Sequence, residues 1–464
     1  MNNIFSTIAA VSTPRGKGGI AVIRISGSDA VSIADRIFSP ACKKPLADIE
    51  SSRAIYGNIY HNKNDNSPPI DNAIATIFRA PHSFTGEDPV EISCHGGLLV
   101  TEAVLSAVLS AGARHAEAGE FTRRAFVNGK MALSEAEALS NLLEAGNYSQ
   151  MRLARSGLEG NLERKCQEIY GELRFILASL YAKIDYPDEE LADLGAEEMR
   201  DGIKGVLDRL KKISATYKSG HAIAEGIKTV ICGRPNVGKS SLYNRIVGRE
   251  AAIVTEIEGT TRDILEETAS LGGVTLRLCD TAGLRPSSDR VEQIGIERAY
   301  AKIEDAELIL AVFDGSSELE DEDMELIDFL KDKKQKVVAI INKSELVSKI
   351  NKEYIAAQFG ELVEISAQSE DGIEPLASTA ELRFLDKSLD IERDAIVFGA
   401  RQHAALTKAE YHLSEALLIL DGKEEIDAAA FSVETAMAAL SELDGRQVSD
   451  DVVSEIFSHF CVGK

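Results

Sequence analysis

The chain has 464 residues, a formal net charge of −24, 44% hydrophobic residues and no Trp. At about 150 residues per domain, this length predicts roughly three domains. So acidic a chain repels nucleic acid and anionic membranes at long range, which excludes unaided electrostatic binding to either and leaves a local basic patch or a partner as the route. No apolar run reaches the ~18 residues of a membrane span, and the first residues lack the charged start and long apolar core of a signal peptide. The six cysteines (Cys42, Cys94, Cys166, Cys232, Cys279, Cys461) form no C-x-x-C pair, which points to reduced thiols in a cytoplasmic protein.

In chain order, residues 20–25 (IAVIRI) predict a strand and 28–38 a helix. Residues 54–60 and 72–78 predict further strands, and an apolar-periodic helix follows Gly97 to about residue 110. The stretch 1–130 is therefore mixed α/β. It carries three weak signals: the Gly16-Lys17-Gly18-Gly19 cluster, by default a turn; His95 before two glycines, catalytic or a turn histidine; and 119–126 (GEFTRRAF), by default a solvated helix face. From residue 133 the pattern is helical to about 218, broken by an acidic loop at 185–190. Helix returns from about 394, with Leu406, Leu413, Leu417 and Leu420 on one face, and further helices span 427–443 and 450–460. Strands alternate with helices over 222–380. The simplest topology is an α/β domain at 222–380 inserted into a discontinuous helical domain at 131–221 and 381–464.

The stretch that organises the chain is Gly233-Arg234-Pro235-Asn236-Val237-Gly238-Lys239-Ser240, set between a β-branched run at 227–232 and a helical start at 241–247. Its glycines let backbone N–H groups curl around a phosphate, the helix N-terminus adds partial positive charge, Lys239 can reach the outer phosphates, and Ser240 offers a hydroxyl to Mg²⁺. The partners follow in order. Residues 259–263 (GTTRD) place Thr260 and Thr261 for Mg²⁺ and the terminal phosphate. The strand 274–279 delivers Asp280-Thr281-Ala282-Gly283, a carboxylate for Mg²⁺ and a Gly N–H for the phosphate. Strand 308–313 is central and buried. Strand 337–341 leads into Asn342-Lys343-Ser344-Glu345, and 362–365 into Ser366-Ala367-Gln368, the loops that read the base. A carboxylate accepting from guanine N1 and the 2-amino group excludes adenine; here it is Glu345 where Asp is usual, which predicts retained GTP preference with reduced affinity. Leu284 stands where Ras-like proteins carry a water-orienting Gln. Asn236 is a candidate monovalent-cation ligand, Arg285 is adjacent to the second switch, and Glu292 is a water-positioning residue or a solvated carboxylate.

The segments 233–241 (GRPNVGKSS), 259–263, 280–285 (DTAGLR), 291–298 (VEQIGIER), 119–126 and 83–88 (SFTGED), with the terminal Phe460-Cys461-Val462-Gly463-Lys464, resemble the family of bacterial tRNA uridine-modifying GTPases called MnmE or TrmE over essentially the whole chain. The phosphate loop alone fits many GTPases; the N-terminal stretch together with the terminal Cys-x-Gly-Lys singles out this family. The resemblance implies an N-terminal mixed α/β folate-binding-like domain that also forms a homodimer, a discontinuous helical domain, and an inserted Ras-like P-loop GTPase domain. It implies addition of a carboxymethylaminomethyl or aminomethyl group at carbon 5 of the wobble uridine of certain tRNAs. The FAD-dependent partner MnmG (GidA) would complete a heterotetramer, and 5-formyl-tetrahydrofolate or a related folate would donate one carbon. The nucleotide site would comprise Asn236, Val237, Gly238, Lys239, Ser240 and Ser241, then Thr255, Glu256, Ile257, Glu258, Gly259, Thr260 and Thr261, with the motifs above. Potassium would be held by Asn236, the carbonyls of Thr255 and Ile257, and Thr260; Mg²⁺ by Ser240 and Thr261. Glu292 would help orient the attacking water. The folate site would comprise Arg24, Glu91, Lys130 and Lys464, which brings the last helix back onto the N-terminal domain. Cys461 is chemically active as part of the terminal motif, or packs beside Phe460. The rival function is a ribosome-assembly or RNA-scaffolding switch GTPase, which has no need of Arg24, Glu91 and Lys130.

Overall fold

The computed structural model describes residues 6–65, 67–186, 195–249, 266–279, 302–369, 372–422 and 426–464. The chain divides into two compact units, Met1–Ser140 with Ser441–Lys464, and Asn141–Leu440. The stretch Ser441–Lys464 thus groups with the N-terminal residues, although the sequence pattern alone runs it on from the preceding helices.

In the first unit, seven strands form one sheet: β1 (Ile8–Val11), β2 (Ile20–Ser26), β3 (Phe38–Pro40), β4 (Arg53–Ile59), β5 (Asp71–Ile77), β6 (Val90–His95) and β7 (Arg114–His115), in the order 3-4-5-6-2-1-7. All neighbours are antiparallel except β1 and β7. Alternate residues such as Ile23, Ile25, Ala75, Ile77 and Ile92 share a core with Ile33 and Ile37 of α1 (Ala30–Ile37) and Val104 and Val108 of α2 (Leu98–Ser110). The intervening residues, Arg24, Tyr56, Ile74 and Glu91, therefore point to the other face. At β1 that face is also covered: Ile8 and Ala10 pack with Ala116 and Phe121. A four-residue strand of small apolar residues, buried on both sides, carries no alternation, so its sequence gives no strand signal.

The solvated face expected for 119–126 is not found. In α3 (Glu120–Val127), Glu120, Phe121, Thr122, Arg124 and Ala125 are buried. Arg124 donates to Glu87 Oε1 (3.0 Å), Glu120 Oε1 (3.1 Å) and the Ser6 carbonyl (2.7 Å). Arg114 donates to Glu120 Oε2 (2.8 Å), and Ser26 Oγ to Glu87 Oε2 (2.6 Å). Charges can be buried here because each meets an opposite charge and further hydrogen bonds. The C-terminal helix Asp450–Ser458 buries Val453 and Phe457, with Phe460, against Leu133 and Ala136. Gly119 (φ +64°) sits where a Cβ would overlap the Phe457 carbonyl, so only glycine allows this approach.

The second unit begins within α4 (Leu133–Glu144), which straddles the division. Helices α5 (Tyr148–Leu158), α6 (Asn161–Asp185), α7 (Ala196–Ala215) and α8 (Tyr217–Ala224) lead into a six-stranded sheet. It comprises β8 (Ile227–Cys232), β9 (Glu266–Leu271), β10 (Val274–Cys279), β11 (Leu308–Asp314), β12 (Val337–Asn342) and β13 (Leu362–Glu364), in the order 13-12-11-8-10-9. All pairs are parallel except the β9–β10 hairpin. Helices packed with it include, among the described residues, α9 (Lys239–Arg249), α10 (Asp321–Leu330), α11 (Lys352–Phe359) and α12 (Glu374–Phe384). In β11, Leu308, Leu310 and Val312 enter one core, and Ile309, Ala311 and Phe313 another. Both faces of the sheet are covered, which is why its strands read as continuous apolar runs.

After α12 come α13 (Ala400–Asp421) and α14 (Ile426–Asp444). The helix expected from about 394 begins only at Ala400. Asp390 Oδ1 accepts from Glu392 N (3.0 Å), Asp394 Oδ2 from Asp390 N (2.8 Å), and Thr216 Oγ1 from Val397 N (2.9 Å). These side-chain bonds satisfy the backbone locally and compete with helix. No helix among the described residues is long and apolar enough to cross a membrane.

Candidate functional site

Between β8 and α9 the chain turns through left-handed backbone at Asn236 (φ +66°) and Gly238 (φ +103°). A Cβ on Gly238 would overlap Asn342 Nδ2, and one on Gly233 would overlap the Val312 carbonyl, so both glycines are required by close approach. Val237 anchors the loop in the sheet's core. Asn236, Ser240 and Ser241 are exposed. Lys239 arches back over the loop and donates to the carbonyls of Gly233 (2.7 Å) and Arg234 (2.8 Å). Burial holds its ammonium below the ordinary lysine range. A desolvated cation at a helix N-terminus, in a loop with no room for a Cβ, suits a phosphate. Ser240, at the head of α9, is the described residue that would offer a hydroxyl to Mg²⁺.

Arg234 fastens the outer edge of this loop. Its guanidinium lies 2.8 Å from Glu320 and 3.0 Å from Asp323, and donates to Ser317 Oγ (2.6 Å). No spacing in the sequence signals this clamp. On the base side, Asn342 is buried with both ends of its amide engaged: Nδ2 donates to the Val237 carbonyl (2.8 Å) and Oδ1 accepts from Ala367 N (3.0 Å). It is a strut between the phosphate loop and Ser366-Ala367-Gln368. Arg245 of α9 donates to the Gln368 carbonyl (2.8 Å) and steadies the same loop. Lys343 (φ +63°) donates to Asp314 Oδ2 (2.5 Å) at the end of β11. Burial alone would raise the Asp314 pKa, but Lys343 and Ser316 outweigh it and hold the carboxyl below its usual range. Asp314 is legible in retrospect, since the carboxyl ends of parallel strands are where such sheets place ligands. Glu345 is exposed. Thr255, Glu256, Ile257, Glu258, Gly259, Thr260, Thr261, Asp280, Thr281, Ala282, Gly283, Leu284, Arg285 and Glu292 lie outside the described residues.

In the first unit, Arg24 and Glu91 are cross-strand neighbours on the outward face, paired at 2.8–2.9 Å. The Arg24 guanidinium lies 5.5 Å from the Phe84 ring and 5.6 Å from that of Phe121. The C-terminal tail is threaded beside them. Val462 bridges to Ala118, and Ser12 Oγ donates to the Gly463 carbonyl (2.9 Å). Gly463 (φ +101°) leaves no room for a Cβ against the Val11 carbonyl. Burial, and then the charge of Arg24, hold the Lys464 ammonium below the ordinary lysine range. Arg24, Glu91 and Lys464 are thus brought together. Lys130 is not part of that contact; its Nζ donates to the Pro81 carbonyl (2.8 Å) on the loop that also carries Phe84. One carboxylate that can accept paired N–H donors, beside two cations whose repulsion an anion would relieve, fits a pterin ring with an anionic tail.

Cys461 is exposed and follows the helix, whereas its neighbour Phe460 is buried. His95 Nδ1 lies 2.7 Å from Asp71 Oδ1, and Asp71 Oδ2 accepts the His95 N–H (2.8 Å). Gly96 abuts the Gly18 carbonyl, and Gly18 N donates to Gly96 O (3.0 Å), so the Gly16–Gly19 stretch is locked to the turn after His95.

Two family models match the chain. One, the GTP-binding protein TrmE N-terminus, matches residues 7–130, and the other, the MnmE helical domain, matches 133–461. The chain is 38% identical to the tRNA modification GTPase MnmE of Clostridioides difficile, covering 99% of this chain and 100% of that one. It is 39% identical to the protein of the same name from Lachnoclostridium phytofermentans, covering 99% of each. Among solved structures, the G domain of the T. maritima FeoB iron transporter matches 34% of this chain and 98% of its own at 26% identity, with a TM-score of 0.26.

Proposed function

This chain belongs to the MnmE (TrmE) family, and from that premise we propose that it is a GTP-hydrolysing tRNA-modification enzyme acting at carbon 5 of the wobble uridine. One observation supports the reading: the same chain holds a phosphate loop closed by Lys239 and, in its other unit, an Arg24–Glu91 pair with the Lys464 ammonium beside it. A switch that only binds and releases RNA has no use for the second. The functional parts are 1–130 for folate and dimerisation, 131–221 with 381–464 as the helical part, and 222–380 for GTP.

In this reading the phosphate loop wraps the β- and γ-phosphates with its backbone N–H groups. Lys239 leaves its two carbonyl acceptors to meet the charge that develops on the transferred phosphoryl group. Ser240 and Thr261 hold Mg²⁺. Asn236, the carbonyls of Thr255 and Ile257, and Thr260 hold K⁺. Potassium supplies the positive charge that an arginine finger gives elsewhere. Glu292 orients the water, with Arg285 beside it, since Leu284 cannot. Asn342 keeps the base loop in register with the phosphate loop, and Glu345 reads guanine. Glu91 accepts the pterin N–H donors, while Arg24, Lys464 and, along the adjoining loop, Lys130 meet the glutamyl tail. The folate, 5-formyl-tetrahydrofolate or a relative, supplies one carbon. The exposed Cys461 thiol stands beside this site. A homodimer and the FAD-dependent partner MnmG complete the assembly, and the partner shares the tRNA that a −24 chain repels.

The test is the GTP hydrolysis rate of the purified protein in KCl and NaCl at matched ionic strength, over a range of protein concentrations. The reading expects a potassium-specific acceleration and specific activity that rises with concentration. Equal rates in both salts would remove potassium from the mechanism.

A further inference from the structure

The β9–β10 hairpin is the part of the sheet that joins the two phosphate-sensing segments in sequence. β9 starts at Glu266, shortly after Thr260 and Thr261, and β10 ends at Cys279, immediately before Asp280. The two strands are paired without interruption from Glu266↔Cys279 to Leu271↔Val274, so a displacement at the open end is carried along the hairpin. Besides its ladder to β8, its share of the sheet core and the Tyr243–Glu267 contact with α9, the hairpin has two hydrogen-bonded attachments near its turn. At its turn, Glu381 of α12 accepts the Gly273 N–H (3.0 Å). One pair in from the turn, the buried Thr275 hydroxyl donates to the Ile223 carbonyl of α8 (3.0 Å) and accepts from Asn147 Nδ2 (3.0 Å). Asn147 is the N-cap of α5, its Oδ1 accepting from Gln150 N (2.9 Å). Gln150 in turn donates to the Ala224 carbonyl at the end of α8 (2.9 Å). Gly226 (φ +80°), which joins α8 to β8, allows this approach, since a Cβ there would stand 3.0 Å from the Thr275 carbonyl.

The cap alone needs only an acceptor, which Ser or Asp supplies as well. Asn147 in addition donates from its amide nitrogen to Thr275, the hydroxyl that reaches α8. We propose that Asn147 and Thr275 are positioning residues that couple the nucleotide state sensed at the open end of the β9–β10 hairpin to helices α5 and α8. The relay rests on the GTPase reading above and names the path by which hydrolysis is felt outside the nucleotide sheet. Its parts are discrete hydrogen bonds within a packed unit, so a shift of the hairpin either carries α5 and α8 with it or breaks the Thr275 bonds.

Three variants of the full-length protein separate coupling from folding. Asn147→Ser keeps a cap and loses the donor to Thr275, Thr275→Val keeps the shape and loses the hydroxyl, and Thr275→Ser keeps the hydroxyl. The measurement is amide hydrogen exchange of α5 and α8 with GDP and with a non-hydrolysable GTP analogue, alongside GTP hydrolysis and wobble-uridine content of tRNA. Wild type and Thr275→Ser should show a nucleotide-dependent difference in exchange. Asn147→Ser and Thr275→Val should lose it and modify tRNA about tenfold less, while hydrolysing GTP at rates within about threefold of wild type. A wild-type difference surviving in both variants overturns the relay. So does its absence from a wild-type protein that hydrolyses GTP and modifies tRNA, an outcome that leaves the proposed function standing. A wild type that hydrolyses no GTP overturns both.

Discussion

The phosphate loop takes its geometry from consecutive residues, Gly233 to Ser240, whereas the N-terminal site takes Arg24, Glu91 and Lys464 from distant points of the chain. In the first, backbone conformation does the work: left-handed turns at Asn236 and Gly238, and two glycines pressed against Val312 and Asn342. In the second, strand register sets Arg24 opposite Glu91, and a threaded tail delivers Lys464. A loop of the first kind is vulnerable to one local change. A site of the second kind depends on the packing of α3 and of the C-terminal helix beneath it.

The largest expected effect separates the two regions outright. Lys239→Ala should lower kcat/KM for GTP by about 10²–10³-fold, because the loop loses the side-chain cation that meets the developing phosphoryl charge. Thermal melting of the N-terminal unit should be unchanged. The reverse case is Glu120→Gln. Its side chain is buried between Arg114 and Arg124, and breaking such a pair costs about 3 kcal/mol, read in urea unfolding. Burial alone would raise the Glu120 pKa, but Arg114, the Glu117 N–H and Arg124 outweigh it and hold the carboxyl low. A depressed folded pKa gives stability that is full above the unfolded value and lost as pH falls through the folded one. The gap between wild type and Glu120→Gln should therefore be constant near neutrality and shrink below about pH 4.

Gly463→Ala should cost about 1–3 kcal/mol locally, through the left-handed backbone and the clash with Val11. The tail that carries Lys464 should then detach. Calorimetric titration with a tetrahydrofolate derivative should show weaker binding, at an unchanged GTP hydrolysis rate. Glu345→Asp is the mildest change, since the residue is exposed and keeps its carboxylate. It should tighten GTP by less than about tenfold, worth under ~1.4 kcal/mol, and ATP competition should stay absent.

These differences also explain what could be read in advance. β8, β10 and the start of β11 fall where the apolar runs put them, because strands covered on both faces leave unbroken hydrophobic stretches. The phosphate loop is legible because its chemistry is local. Arg24 and Glu91 become neighbours only through register, which no spacing encodes; it was the resemblance to a family that singled them out. The 119–126 segment misleads for a physical reason: charged residues on a short helix read as solvated, and only the fold reveals that Arg124 faces Glu87 and Glu120. Asn342 hides in the same way, as its motif suggests a base contact while both ends of its amide are spent joining two loops.

The most direct test of the two-site account is nucleoside analysis of tRNA from cells lacking this gene and complemented with wild type, Lys239→Ala or Arg24→Ala, with GTP hydrolysis measured on each purified protein. The account predicts that both variants lose the wobble-uridine modification and only Lys239→Ala loses hydrolysis. Normal modification by an Arg24→Ala protein would contradict it, leaving a GTPase whose N-terminal site takes no part in the reaction.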